Sequence, residues 1–173
     1  RARRCAIEGQ ARGHDPTEVG VELAGLTERL LSSQAHLDAL QVGRMAAFWL
    51  EKGGDLAWAR RLQDRLVRLS EACGDGRLEL LTRASRAFTA RAGNHFEEAL
   101  RFLDEAIDVA ARREPARRHS LRHYRGSLLV HLGRLDEGRA ELLRSLDWLR
   151  ALDSPAECSS VWMVLATAHA LGG

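Results

Sequence analysis

Little in this sequence advertises chemistry. Its three cysteines, Cys5, Cys73 and Cys158, lie far apart with no CxxC spacing. Neither a zinc site nor a disulfide framework is legible, and reduced thiols within helices are expected. No apolar run reaches the roughly 18–20 residues of a membrane helix, and no secretory signal opens the chain. A Gly-rich phosphate loop, HExxH and GxSxG are all missing, which leaves an enzyme, a cofactor and a metal site without support. Net charge is only +2, a balance that argues against direct nucleic-acid binding. Lysine is nearly absent, with Lys52 alone beside 25 arginines. Arginine forks suit carboxylate and phosphate recognition, but the codon bias of a GC-rich genome explains so uniform a choice more simply.

What is present is a balanced globular composition. Of 173 residues, 45% are hydrophobic and 29% charged, enough for one domain with a real core and no membrane contact. A cytoplasmic protein is expected. The first residue is Arg1 rather than Met, so the chain reads as a piece of a longer protein.

The three prolines mark helix starts. "DPTE" offers Asp15 as N-cap, Pro16 in the first turn and Glu18 behind it, and "SPAE" repeats this with Ser154, Pro155 and Glu157. Both are capping-box patterns, and Pro115 opens a helix in the same manner. Between these marks apolar residues recur at three and four, as in Phe96, Ala99, Leu100, Leu103, Ala106, Ile107 and Ala110. Helices are predicted at about 1–12, 16–33, 35–52, 55–72, 76–92, 95–112, 115–132, 135–151 and 155–171, about nine in an all-α chain. The four tryptophans, Trp49, Trp58, Trp148 and Trp162, are expected to fill gaps between them.

The helix joints recur. Gly54, Asn94, Gly133 and Gly173 stand 40, 39 and 40 residues apart, with Gly13 a fainter fifth. Gly, and less often Asn, suits the left-handed backbone that closes a helix. Around each joint lies a small residue inside the first helix, an apolar residue two past the turn and another small residue five past it. These are Ala47, Gly54, Leu56 and Ala59, then Ala87, Asn94, Phe96 and Ala99, then Gly126, Gly133, Leu135 and Gly138. This pattern resembles the tetratricopeptide repeat (TPR) across nearly the whole chain. It departs from the family in its period near 40, its Leu at aromatic positions and its scarce closing proline. Long, degenerate repeats of this kind look like the TPR-like arrays of large bacterial transcriptional regulators with an ATPase core.

The resemblance implies an α-solenoid of stacked antiparallel helix pairs in a right-handed superhelix, one domain over 1–173. It also implies binding through a concave face lined by the first helix of each pair. Carried over by position, that face holds Arg44, Phe48 and Glu51 in one copy, and Ala84, Phe88 and Arg91 in the next. His123, Ser127 and His131 follow, then Met163, Thr167 and Ala170. Phe48 and Phe88 would anchor apolar side chains of an extended peptide and Arg44 and Arg91 its carboxylates, or both rings simply pack between helices. His123, Ser127 and His131 share one helix face at i, i+4, i+8 and read as a polar wall rather than a metal site. The basic stretch "ARRHSLRHYR" at 116–125 spreads its arginines round the helix and reads as a solvated face rather than a phosphate patch.

The expected role is a protein- or peptide-binding module, the regulatory or sensory part of a larger bacterial regulator. Its partner would be another protein or other domains of the same polypeptide. The alternatives are a small-molecule effector sensor of a signal-transduction ATPase and a structural segment that self-associates through uncapped terminal helices. The last helix is expected to leave Val161, Val164, Leu165 and Ala168 uncovered.

Overall fold

The computed structural model describes residues 15–151 and 155–172, the side chains of residues 116, 155 and 157 excepted. The described residues form eight helices and no strand: α1 (Pro16–Ser32), α2 (His36–Lys52), α3 (Leu56–Cys73), α4 (Gly76–Ala92), α5 (Phe96–Arg113), α6 (Pro115–His131), α7 (Leu135–Ala151) and α8 (Pro155–Gly172). The helix expected at 1–12, the joints at Gly13 and Gly173 and the cap at Ser154 lie outside the described residues.

The joints are built as their residue types require. Gly54, Asn94 and Gly133 have φ of 89°, 59° and 75°, the left-handed conformation in which a Cβ is costly. At each, the next N–H donates to the carbonyl five residues back: Asp55 to Leu50, His95 to Ala90 and Arg134 to Leu129, all at 2.9 Å. This six-to-one bond occupies a carbonyl that the helix end would otherwise leave open. The breaks expected near 34 and 74 share this geometry although the 40-residue pattern does not include them. Gln34 (φ 59°) and Gly74 (φ 68°) also turn left-handed, so positions 34, 54, 74 and 94 mark helix ends at intervals of 20. Aspartates cap the starts of α1, α3 and α4. Asp15 accepts from the Thr17 N–H, Asp55 from Trp58, and Asp75 from Arg77 and Leu78.

The chain divides into two compact units, one ending at His95 and one starting at Phe96. In the first, α1 packs on α2, α2 on α3 and α3 on α4, and α2 also reaches α4. Leu23, Leu40, Leu50 and Leu66 are fully enclosed there. In the second, α5 packs on α6, α6 on α7 and α7 on α8, and α6 also reaches α8. Leu142, Leu146, Leu149 and Val161 form its innermost layer. Within each unit every helix therefore meets its sequence neighbour, and first helices of successive pairs meet each other. The small positions of the repeat sit inside these units, with Ala47, Ala59, Ala87, Ala99, Gly126 and Gly138 all buried.

Two expectations about the last helix are corrected. Val161 and Ala168 are fully buried, and Val164 and Leu165 pack partly buried against the α7 layer. That side faces inward, and the exposed apolar residues are Trp162, Met163 and Leu171 instead. Trp162 consequently fills no gap between helices: its ring is 49% exposed, with the Arg150 guanidinium 5.5 Å from its centre. Trp49 is buried, and Trp58 and Trp148 are partly buried against the cores.

Candidate functional site

In the first unit, Arg44, Phe48 and Glu51 are spaced four and three along α2, and Phe88 and Arg91 three along α4. The ends of the two helices are joined by a side-chain bond, the Thr89 hydroxyl donating to Glu51 Oε2 at 3.2 Å. Burial pushes the Glu51 carboxyl above its ordinary range, opposed by the Thr89 hydrogen bond and by the positive charges of Lys52 and Arg91. Glu51, Thr89 and Arg91 thus form one cluster where α2 meets α4.

Beside this cluster Phe48 is 45% exposed. Its ring stands edge-on to buried Trp49, with centroids 5.5 Å apart, so the orientation is fixed from below. From above, the Lys52 ammonium lies 5.4 Å from the ring centre. The equivalent Phe88 is only half-exposed, so the two rings do not present equal surfaces. Arg44 is half-buried and Arg91 exposed. The surface therefore combines an exposed aromatic ring, three cations (Arg44, Lys52 and Arg91) and a carboxylate whose charge is costly to keep. Such a mixture can seat an apolar side chain and engage polar or charged groups next to it.

Lys52 and Thr89 belong to this surface, yet neither stands at a position that the repeat picks out. A signal existed for Lys52, the sole lysine at i+4 from Phe48. Thr89 carried none, because its partner lies 38 residues away.

In the second unit the expected residues separate. Ser127 is only 8% exposed, and its carbonyl is 2.9 Å from His131 Nδ1. His131 lies beside the Phe96 ring at 5.5 Å, whereas His123 stacks on Tyr124 at 5.0 Å. On α8, Met163 is 68% exposed and the Thr167 hydroxyl donates to the Met163 carbonyl at 3.0 Å. Among the described residues, no group of three His, Cys, Asp or Glu side chains is placed to hold a metal.

Three of the four arginines in the basic stretch on α6 face acids. Arg117 Nε lies 2.6 Å from Glu114, and Arg125 Nε lies 2.6 Å from Asp104 of α5. Arg122 and Arg125 also face Glu141 of α7, at 3.6 and 3.7 Å. His119 stacks on Trp148 of α7, with centroids 5.1 Å apart and the rings 15° from parallel. These contacts tie α6 to its neighbours. Among the described residues, no helix is long and apolar enough to cross a membrane.

No family model and no curated protein match the sequence. Solved structures match its fold. The nearly identical TPR-like repeats of a putative kinesin light chain from Podosopora anserina superpose with a TM-score of 0.72 at 14% identity. That match covers 99% of this chain and 93% of that one. A point variant of the same protein gives 0.73 at 14% identity, over 98% and 92%. BtubC (BKLC) from P. vanneervenii gives 0.70 at 15%, over 99% of this chain and 82% of its own. At such identities the likeness defines the fold alone: this is an all-α TPR-like repeat protein.

Proposed function

We propose that the chain is a protein- or peptide-binding module whose contact surface includes Arg44, Phe48, Glu51, Phe88 and Arg91 on α2 and α4. The observation that carries this reading is Phe48. Phe48 is 45% exposed, its ring set edge-on to a buried tryptophan and flanked by Lys52, which orients an aromatic contact at the surface in the manner of an interface anchor. Its occupant is an extended segment with an apolar side chain over Phe48 and an acidic group near Arg91 and Lys52. His123, Ser127 and His131 on α6 and Met163 and Thr167 on α8 are the corresponding positions of the second unit. In this reading the module is the regulatory part of a larger, cytoplasmic bacterial transcriptional regulator. It receives a protein or peptide signal and contacts neither nucleic acid nor membrane, and it carries out no catalysis.

Selection of an unbiased displayed peptide library on the purified protein tests the site. Enriched peptides are expected to lose at least about tenfold in affinity on Phe48→Ala and to weaken on Arg91→Ala, with helical circular dichroism unchanged. Peptides that bind both variants as tightly as the parent would overturn the assignment.

A further inference from the structure

Helix α3 turns a single sign of charge outward. Arg61, Arg65 and Arg68 are spaced four and three residues apart, so they line one side of the helix over about 10 Å, and all three are exposed. The other side, with Ala59, Leu62, Leu66 and Ser70, is buried. The acids of this helix are Asp64 and Glu71, and both are drawn toward α4. Asp64 lies 2.7 Å from Arg86 Nε, and Glu71 pairs with Arg83. Arg65 meets Glu28 of α1 at 2.5 Å, with both side chains half-exposed. Among the described residues, no acid pairs with Arg61 or Arg68.

The fold does not ask for arginine at these places. Forty residues on, the same three positions of α5 hold Arg101, Glu105 and Asp108, and forty residues back those of α1 hold Val21, Gly25 and Glu28. Mixed signs suit a solvated helix, because like charges three and four residues apart repel one another. The α3 ridge carries that repulsion at both of its spacings, and Glu28 offsets it only at Arg65. A ligand of opposite charge would relieve the rest.

We infer that the outer ridge of α3 docks an acidic segment of a partner protein, whose carboxylates engage the Arg61 and Arg68 guanidinium groups. Planar forks of this kind take carboxylates bidentately. The molecule already makes the contact once, since Glu28 delivers a carboxylate from a neighbouring helix to Arg65. Glu28 therefore competes with the incoming segment for the middle of the ridge. Separate carboxylates suit this surface better than a phosphate backbone does. Residues 15–95 hold as many Asp and Glu as Lys and Arg, so no wide positive field gathers a polyanion. Glu28 and Glu71 are exposed beside the ridge, and a continuous phosphate chain would run against them. The inference is independent of the peptide-binding reading, which uses α2 and α4.

Fluorescence anisotropy of the full chain with a labelled oligoglutamate of about 15 residues, at about 50 mM salt, tests it. The expected result is saturable binding that Arg61→Gln combined with Arg68→Gln weakens at least about tenfold. Glu28→Gln, which frees Arg65, should tighten binding about two- to fivefold. Removing two arginines from α5 instead, Arg101→Gln with Arg112→Gln, should change it less than about twofold, which separates the ridge from attraction to overall charge. All these side chains are exposed, so circular dichroism should stay native. Absence of binding would overturn the assignment. So would equal losses in the α3 and α5 variants, or a loss on Arg91→Ala that matches the α3 pair. Tighter binding of an oligothymidylate of the same length would transfer the ridge to nucleic acid and likewise overturn it.

Discussion

A Cβ placed on Gly126 would lie 3.1 Å from the Gly138 carbonyl oxygen, and one placed on Gly138 would lie 3.0 Å from that of Gly126. The two glycines let α6 and α7 meet backbone to backbone, and each position is also closed by a side chain. The added methyl would meet Leu142 Cγ at 2.8 Å from Gly126, and Val130 Cγ2 at 2.7 Å from Gly138. Alanine at either site gains about 1 kcal/mol of helix propensity but forces helices and side chains apart. Both substitutions are expected to destabilise by a net 1–2 kcal/mol or so, read as a lower urea midpoint. The contrast is Gly25→Ala, whose methyl would meet only Arg29 Nη1 at 3.8 Å and which should stabilise. Equal responses at the three sites would show that the helices do not touch as closely as described.

The joints make a separate prediction. Gly133→Ala keeps open space around the new methyl but places it on a left-handed backbone, a cost of roughly 1–2 kcal/mol. Gly133→Asn should cost less, since Asn94 holds the same conformation two helices earlier. Gln34 occupies it with a residue of no such preference, so Gln34→Gly is expected to raise stability by up to about 1 kcal/mol. Chemical denaturation of the three variants decides, and a destabilised Gln34→Gly would contradict the strain argument.

Charge pairs of unequal burial should respond unequally. Glu141 of α7, largely shielded from solvent, faces Arg122, Arg125 and Arg144 at 3.4–3.7 Å. Glu141→Gln leaves those guanidinium groups facing one another across α6 and α7, with Arg125 keeping Asp104. A loss of roughly 2 kcal/mol is expected, less than for a fully buried pair because the distances are long. Glu28→Gln breaks the pair with Arg65, in which both side chains are half-exposed, and should cost below about 1 kcal/mol. Raising salt should shrink the second effect more than the first.

The sequence made some of this legible and concealed the rest for identifiable reasons. Gly54, Asn94 and Gly133 betray their joints because few residues tolerate their backbone, whereas Gln34 conforms to the same geometry without announcing it. The 20-residue interval of left-handed residues is interrupted at Glu114, whose backbone (φ −142°) is not left-handed. Helix ends fall within one to two residues of the periodic pattern, as at Leu56–Cys73 against 55–72. Phe48 and Phe88 are equivalent by register, yet one is exposed and the other half-covered, because burial depends on neighbours that no single-helix pattern records. The α8 error has a related origin. A helix apolar all round carries no periodic sign of which side faces in, so the pattern puts Val161 and Ala168 outward where α7 in fact covers them. The arginines of 116–125 are visible in the sequence, but their partners Asp104 and Glu141 come from other helices.

Glu51 supplies a pH-dependent test of the candidate surface. Burial is the largest influence on its carboxyl and raises it, with Thr89, Lys52 and Arg91 pulling the other way. A carboxyl higher in the folded than in the unfolded chain holds more protons when native. Stability therefore falls as pH climbs from the unfolded value, near 4.5, through the raised folded value, and the deficit persists above it. Glu51→Gln removes the charge but keeps an oxygen to accept from Thr89. The variant should match the parent at the acid end of that window and surpass it at neutral pH, in urea titrations across the carboxylate range. If peptides selected on the parent use this carboxylate to engage a cation, the same substitution should weaken them as it stabilises the fold. A variant less stable than the parent at neutral pH would mean that the ionised carboxylate is held by Arg91 and Lys52 more strongly than burial penalises it.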